Sequence, residues 1–569
     1  MNIIKALIVI ALTSLYSFTS PSVSQNTLWA QESKSGSVKA SAARNHDFDI
    51  SSNMEIMYNI VRELDINYVD SINLKERIED GIKAMLRGID PYTTYYPESD
   101  QNDLKMMTTG KYAGVGAIIS QFKGRDYVVV SEPYEGMPAQ KAGIRAGDRI
   151  VRIDGESMKG KESAYVSSKL KGDPNTSLRV AVARPGVADT LEFDMTRQII
   201  SLPSVPYWGK HDDFGYIYLN SFTENCSKDV AQAFMELKGQ GIKGLVLDLR
   251  GNGGGLLQEA VNIIGLFVPK GTKVLETRGK VPQMDASYST RREPVDTEMP
   301  VVVMIDSESA SASEIVSGAL QDLDRAVIIG GRSFGKGLVQ STRPLPYNGV
   351  LKVTTAKYYI PSGRCIQEID YSKRSSNGQA QHIPDSLTNV FHTAAGRPVR
   401  DGGGIRPDIT CKFDTMPDIM YYLSQSMVMF DYMDEYCSKH ETIAPVSEFT
   451  ISDKEYAEFI DFVSKSDFQY TSNSSRALKS LREMAEMEGL AQKADAEFKA
   501  LESKLEYDMK QDLDQFSYDI RRLLATEIIT RYYYQKGAII EGLKNDHILE
   551  EAVKVLKDSK RYTSILTNR

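Results

Sequence analysis

Three loops hold the residue types that could do chemistry. The run Ser307-Glu-Ser309-Ala-Ser311-Ala-Ser313-Glu314 separates an apolar stretch, 301–305, from a helical pattern beginning near Ala312. A serine there lies at the positive end of a helix dipole, beside backbone N–H groups that the helix leaves free, and that geometry favours a developing oxyanion. The same residues form a capping box, Ser311 with Glu314 three positions on, and such boxes open many ordinary helices. Gly330-Gly-Arg-Ser-Phe-Gly-Lys-Gly337 follows an apolar strand and resembles a P-loop, but Gly337 stands where the magnesium-binding Ser or Thr belongs and the next residues read as β. Without a helix N-terminus the loop has lost most of its anion site. Its Gly331-Arg-Ser333-Phe-Gly335 is formally a hydrolase GxSxG, which also demands a following helix. In Gly251-Asn-Gly-Gly-Gly255 the dinucleotide register GxGxxG is broken by Leu256 or Gln258, which argues against a nucleotide site.

Composition narrows the chemistry further. Four cysteines (Cys226, Cys365, Cys411, Cys437) with no CxxC make neither a disulfide framework nor a zinc knuckle, and leave room for at most one or two disulfides. Six scattered histidines without HExxH disfavour a zinc hydrolase, so side chains alone are expected to act, with no metal and no cofactor. A net charge of −8 argues against nucleic-acid or anionic-membrane partners.

These loops need elements to hold them. From Phe214 onward strands alternate with helices: 216–220, 228–237, 244–249, 256–266, 301–305, 312–323 and 326–329, then β runs at 338–342 and 351–359. Such alternation implies βαβ crossovers and a largely parallel sheet, with functional residues at the strand-to-helix loops. Residues 111–197 instead show short β runs broken by Pro-Ala and Gly-Asp turns, a compact β-rich module. Apolar residues at helical spacing fill 50–86, and the region after Pro445, with no proline and three glycines, reads as long helices. At 569 residues the chain exceeds one core, and at ~150 residues per domain it should hold roughly three to four units.

The helix-opening serine and a lysine 25 positions later in the turn Gly335-Lys336-Gly337 together resemble the S41 family of C-terminal (tail-specific) processing proteases. The likeness runs through Ser309-Ala-Ser-Ala-Ser-Glu-Ile315, Gly318-Ala-Leu-Gln-Asp322, Arg325-Ala326 and Ser333-Phe-Gly-Lys-Gly-Leu-Val-Gln340, in the family's order and spacing. It extends from the helical segment to about Asp414, including Asp90-Pro-Tyr-Thr-Thr-Tyr95 and Gly404-Ile-Arg-Pro-Asp408. The fold it implies is a multidomain α/β protein, with a ClpP/crotonase-like protease core, an inserted PDZ-like domain, and helical terminal regions.

Position by position, the resemblance implies Ser311 as nucleophile, Lys336 as general base, Gln340 as the residue orienting the lysine, and an oxyanion hole from the N–H of Ala312 and that of Gly255, with Gly254 second. A lysine serves as base only if burial depresses a pKa near ~10.4 by several units, and Phe334, Leu338 and Val339 are the apolar neighbours expected to supply that desolvation. The family commonly has Asn and Pro where Gly251 and Gly253 stand. Tyr112-Ala-Gly-Val-Gly116, with Pro138-Ala-Gln-Lys-Ala-Gly143 and the turn at Gly147-Asp148, is similar to a PDZ domain. Its loop Gly114-Val115-Gly116 would bind a peptide's terminal carboxylate. Lys171 stands where the family often has Arg.

The N-terminus carries a Lys, an apolar run through Phe18 and small residues near Ser22 to Ser24, an export signal. The expected organisation is signal peptide 1–24, linker 25–47, helical segment 48–103, PDZ-like domain 104–197, protease core 198–414 and helical extension 415–569. The reading is an exported, periplasmic or envelope serine endopeptidase that engages protein C-termini. Expected partners are peptide substrates, an activating adaptor or a second copy, and the membrane only through an uncleaved signal segment. A catalytically silent PDZ scaffold is the alternative, and a crotonase-like acyl transferase would share the βαβ plan without explaining the PDZ-like module.

Overall fold

The computed structural model describes residues 33–122, 124–374, 380–413, 416–505 and 508–567. The expected signal segment, 1–24, lies outside them. The chain divides into two compact units, one ending at Ala84 and the other beginning at Met85. The first contains the helix Ser33–Asn67 and most of the helix Leu74–Arg87. Residues 25–47 are thus not wholly a linker, since helix begins at Ser33. The stretch has no proline, and Val38-Lys-Ala-Ser-Ala-Ala-Arg44 has good helix propensity, so the helix propagates back from the periodic residues beyond Ile50.

In the second unit a six-stranded sheet runs Tyr207–His211, Phe214–Tyr218, Leu245–Asp248, Val301–Ile305, Val327–Gly330, Ile409–Thr410. All its neighbouring pairs are parallel except the first. Its three central strands are buried along their whole length, which is why they read as unbroken apolar runs rather than alternating ones. Leu245, Leu247, Val301, Val303 and Ile305 face the helices Cys226–Gly239, Leu257–Ile264 and Ala312–Asp322. The alternate residues, Val246, Val302, Met304, Val327 and Ile329, pack against Ile548, Leu549, Ala552, Val553 and Leu556 of the C-terminal helix His547–Lys557. The far end of the chain therefore supplies the second cover that a parallel sheet requires.

A second sheet carries the long hairpin Leu338–Pro344 and Val350–Tyr359, flanked by Thr94–Tyr96 and Lys273–Gly279. The β-rich module is an antiparallel sheet in the order Ala117–Ser120, Val129–Pro133, Arg149–Ile153, Ser177–Ala183, Leu191–Thr196 around its own core of Val130, Ile150, Val166 and Val180. It joins the rest through the strand pair Lys111–Gly114 and Gln198–Ser201. The helices between Asp418 and Leu543 enclose a separate core that includes Leu423, Met433, Phe459, Leu513 and Ile528.

Candidate active site

The strand Val301–Ile305 delivers the chain to Asp306, whose carboxylate accepts from Glu308 N, Ser309 N and Gly251 N at 3.0 Å. Of the three serines that follow, Ser309 and Ser313 are fully buried and committed, donating to Leu249 O and Asn252 O, each at 2.8 Å. Ser311 is only partly buried and has φ 55°, a left-handed conformation uncommon for a residue with a Cβ. The helix Ala312–Asp322 starts immediately after it, so the serine stands at that helix's positive end.

Lys336 arrives from the other side, in the turn before the hairpin. Burial, aided by the like charge of Lys352, lowers its pKa to about 8, with Glu314 and Asp90 opposing. Its ammonium lies 4.3 Å from the ring centroid of Tyr92. Leu338 is buried as expected, but Phe334 is 43% exposed, too open to solvent for the desolvating role given to it. An aromatic ring contributed from some 240 residues upstream takes that place.

Glu314 ties the two loops together. It is fully buried, and its carboxylate accepts from Ser311 N (2.8 Å), Ser333 Oγ (2.6 Å), Gly335 N (2.7 Å) and Lys336 N (2.9 Å). Burial pushes its carboxyl pKa up while these four donors oppose it. Ser333, the formal GxSxG serine, is buried, gives its hydroxyl to Glu314 and accepts from Ile405 N at 2.6 Å. It is a structural residue.

Gly254 packs against the serine: a Cβ on it would meet Ala310 O at 2.6 Å, Ala312 N at 2.9 Å and Ser311 Cβ at 2.9 Å. Its N–H, however, is given to Asn252 Oδ1 at 2.9 Å. Gly255 pairs with Phe222 through its neighbours, Phe222 N to Gly254 O and Leu256 N to Phe222 O, leaving the Gly255 N–H without a partner among the described residues. The N–H of Ala312 is likewise unpartnered among them. Asn252, fully buried, also donates to Leu219 O and accepts at its carbonyl from Ala310 N, fixing the glycine loop to the serine loop.

Gln340 is not bonded to Lys336 among the described hydrogen bonds; its amide donates to Thr354 Oγ1 at 3.3 Å. In the β-rich module, the N–H groups of Val115 and Gly116 have no partner among the described residues, whereas Gly114 is in the strand paired with Gln198–Ser201. Gly116 has φ 75°, and a Cβ there would meet Met137 Cβ at 2.6 Å, so only glycine suits it. The strand Ala117–Ser120 that follows is the edge of its sheet. Lys171 reaches Asp103 at 3.4 Å on the surface. Glu314, Asn252 and Tyr92 are the site residues that sequence reasoning did not single out. Glu314 carried a signal as a capping-box residue, and Asn252 as the polar residue in the glycine run. Among the described residues no cluster of three or more His, Cys, Asp or Glu side chains could hold a metal.

Three family profiles match the chain: "Peptidase family S41" over 213–372, "PDZ domain" over 129–184, and "Probable PDZ-protease, C-terminal helical domain" over 419–556. The carboxy-terminal-processing protease of Bartonella bacilliformis is 37% identical over 306 residues, which span 53% of this chain and 70% of that protein. The chain belongs to peptidase family S41. The carboxyl-terminal-processing protease of Synechocystis sp. is 35% identical over 302 residues, 52% of this chain and 70% of the relative. Among solved structures, a photosystem II D1 C-terminal processing protease aligns with 64% of this chain and 89% of its own at 30% identity, with a TM-score of 0.35. As an S41 peptidase of the C-terminal processing kind, the protein is a serine peptidase with a PDZ domain and a helical C-terminal region.

Proposed function

We propose that this S41 peptidase is an exported endopeptidase that captures protein C-termini in its PDZ domain and cleaves with a Ser311–Lys336 dyad. The observation that carries the dyad is the Glu314 carboxylate, which holds the backbone N–H of both residues and so fixes the two loops relative to each other. Neutral Lys336 takes the Ser311 hydroxyl proton as the oxygen attacks the scissile carbonyl. The resulting oxyanion is received by the N–H groups of Ala312 and Gly255, both otherwise free among the described residues. The proton passes from Lys336 to the leaving amine, and water, deprotonated by the same lysine, releases the acyl group. Gln340 acts at one remove: it bonds Thr354, which meets Thr93 beside Tyr92, the ring under the lysine.

On the capture side, a peptide adds to the edge strand Ala117–Ser120 with its carboxylate on the N–H groups of Val115 and Gly116. The domain bounds read from the sequence are kept as part of this proposal, except that helix is present from Ser33 within the expected linker and that the segment 48–103 is divided between the two units after Ala84. Export to the periplasm or envelope rests on the N-terminal sequence. No helix among the described residues is long and apolar enough to cross a membrane.

The deciding experiment compares wild type, Ser311→Ala and Lys336→Ala on an unstructured protein with a free apolar C-terminus and on the same protein amidated. Cleavage should require both residues and favour the free tail. Undiminished cleavage by either variant overturns the dyad, and indifference to amidation overturns capture.

A further inference from the structure

The motif Asp90-Pro-Tyr-Thr-Thr-Tyr95 lies far upstream of the serine and lysine loops, and the fold brings it to the lysine. Asp90 is buried, and its carboxylate shapes the turn by accepting from Tyr92 N at 2.8 Å, Thr93 N at 2.7 Å and Thr93 Oγ1 at 3.1 Å. Beyond the turn, Thr94–Tyr96 pairs antiparallel with the hairpin strand Val350–Tyr359, Thr94 opposite Lys352 and Tyr96 opposite Val350. Thr93 Oγ1 also accepts from Thr354 N at 3.2 Å, fastening the turn itself to that strand. Tyr92 is thereby held with its ring centroid 4.3 Å from the Lys336 ammonium, and Tyr371 meets the ring edge-on, centroids 6.1 Å apart and planes at 89°.

Side chains alternate along paired strands, so Thr94, Tyr96, Lys352 and Thr354 share one face of the sheet. Lys352 is the diagonal neighbour of Tyr96: its amine donates to the Tyr96 hydroxyl at 3.2 Å and lies 5.5 Å from the centre of that ring. Thr354, two positions along the same strand, is the cross-strand partner of Gln340 and accepts from its amide. Two tyrosines of one short segment therefore hold two lysines, and the second lysine acts on the first through its charge. After burial, Lys352 is the largest influence favouring the neutral Lys336 amine, whereas the carboxylates of Glu314 and Asp90 pull the other way. Both carboxylates are engaged by backbone N–H groups. Glu368, whose N–H donates to Gly335 O at 2.9 Å beside the lysine turn, is paired with His382 at 3.2 Å.

We propose that, with Lys336 read as the base of the dyad, the segment 90–96 is what positions it: Tyr92 seats the amine, and Tyr96 holds Lys352 where its positive charge discourages protonation of that amine. Tyr92, Tyr96 and Lys352 are positioning residues, acting through Lys336 rather than on the substrate. The two tyrosines need each other. An aromatic face attracts a cation and would by itself favour the charged lysine. The ring fixes the place, and the like charge delivered by the same segment restores the neutral form that a base requires.

The test uses the full chain, a reporter peptide cleaved over about pH 6 to 10, and a second readout independent of turnover: the pH dependence of Lys336 labelling by an amine-specific reagent, read by mass spectrometry in the Ser311→Ala background. Lys352→Met should move the break in the kcat/KM profile and the labelling midpoint upward together by about one pH unit, lowering kcat/KM about tenfold at neutral pH while the alkaline plateau is kept. Lys352→Arg should keep the wild-type profile. Tyr96→Phe, which removes only the hydroxyl that holds Lys352, should move it the same way by about half as much. Tyr92→Leu should act differently: kcat falls about tenfold at every pH with KM retained, and Tyr92→Phe restores it. An unmoved profile and midpoint in Lys352→Met or in Tyr96→Phe, with a wild-type profile that still breaks near pH 8, overturns the assignment and leaves the dyad standing. Wild-type kcat in Tyr92→Leu does the same. A labelling midpoint that moves while cleavage keeps its wild-type profile overturns Lys336 as the base, and the assignment with it.

Discussion

In the proposed reading, the loops around Ser311 and the edge face of the PDZ domain would both offer free N–H groups to an anion, but their surroundings differ. Around Ser311 the supporting groups are committed: Glu314 takes four donors, Asn252 is used through its amide and its carbonyl, and Ser309 and Ser313 are buried in hydrogen bonds. On the PDZ side the strand Ala117–Ser120 is a bare sheet edge, open to strand addition. A transition state lasts too briefly to organise its own site, so the donors must be fixed beforehand. A peptide tail binds by completing a ladder, and its site must be left unfinished.

That contrast predicts where damage shows. Ser311→Ala should reduce kcat by at least ~10⁴ with peptide binding intact, measured by reporter cleavage and by anisotropy. Equal losses in binding would erase the distinction between the two regions. Lys336→Met should abolish cleavage nearly as fully while stabilising the fold. The buried lysine titrates at about 8 rather than the ordinary 10.5, so between those values the unfolded chain holds more protons and stability rises with pH. Below pH 8 the full cost of burying the charge remains, and removing it should raise stability by up to about 3 kcal/mol at neutral pH, read from denaturant midpoints.

The same titration sets the pH profile. As only the neutral amine is a base, kcat/KM should fall tenfold per unit below pH about 8, so about a hundredfold by pH 6. A profile flat from 6 to 8 would remove Lys336 as the base. Glu314→Gln substitutes an amide for an oxygen that receives two donors, shifting the dyad loops; a loss of about 10² in kcat with KM little changed is expected. Gly116→Val should do the opposite, raising KM for free-tailed substrates about tenfold through strain at positive φ and a clash with Met137, with little change for amidated ones.

Much of the site was legible because its residues are local. The serine run and the glycine-bracketed lysine each sit in one short loop, and strand-to-helix order says which loops lie at the sheet's working edge. Glu314 was visible as a helix cap, but the cap reading stops at Ser311; that the same carboxylate reaches Gly335 and Lys336 depends on how the hairpin packs. Phe334 was misplaced for a similar reason. Adjacency along the chain says little about which way a side chain leaves a tight turn, and the ring beside Lys336 is Tyr92. Residues 25–47 looked like a linker because low hydrophobicity masks helix propensity.

By itself the sequence determined the chemistry offered and the order of the modules: a serine on a helix N-terminus, a lysine in a glycine turn, and a β-rich insertion before an α/β core. These follow from periodicity and turn residues, which act over a few positions. Only the tertiary structure decided what the C-terminal helices do. Their apolar stripes would suit a core, a dimer or a partner, a core most often, and for His547–Lys557 the outcome was set by the outer face of a parallel sheet formed some 200 to 300 residues earlier, which that helix covers while Asp546 pairs with Arg250. Burial and charge pairing at such separations depend on the whole packed assembly, and no local pattern encodes them.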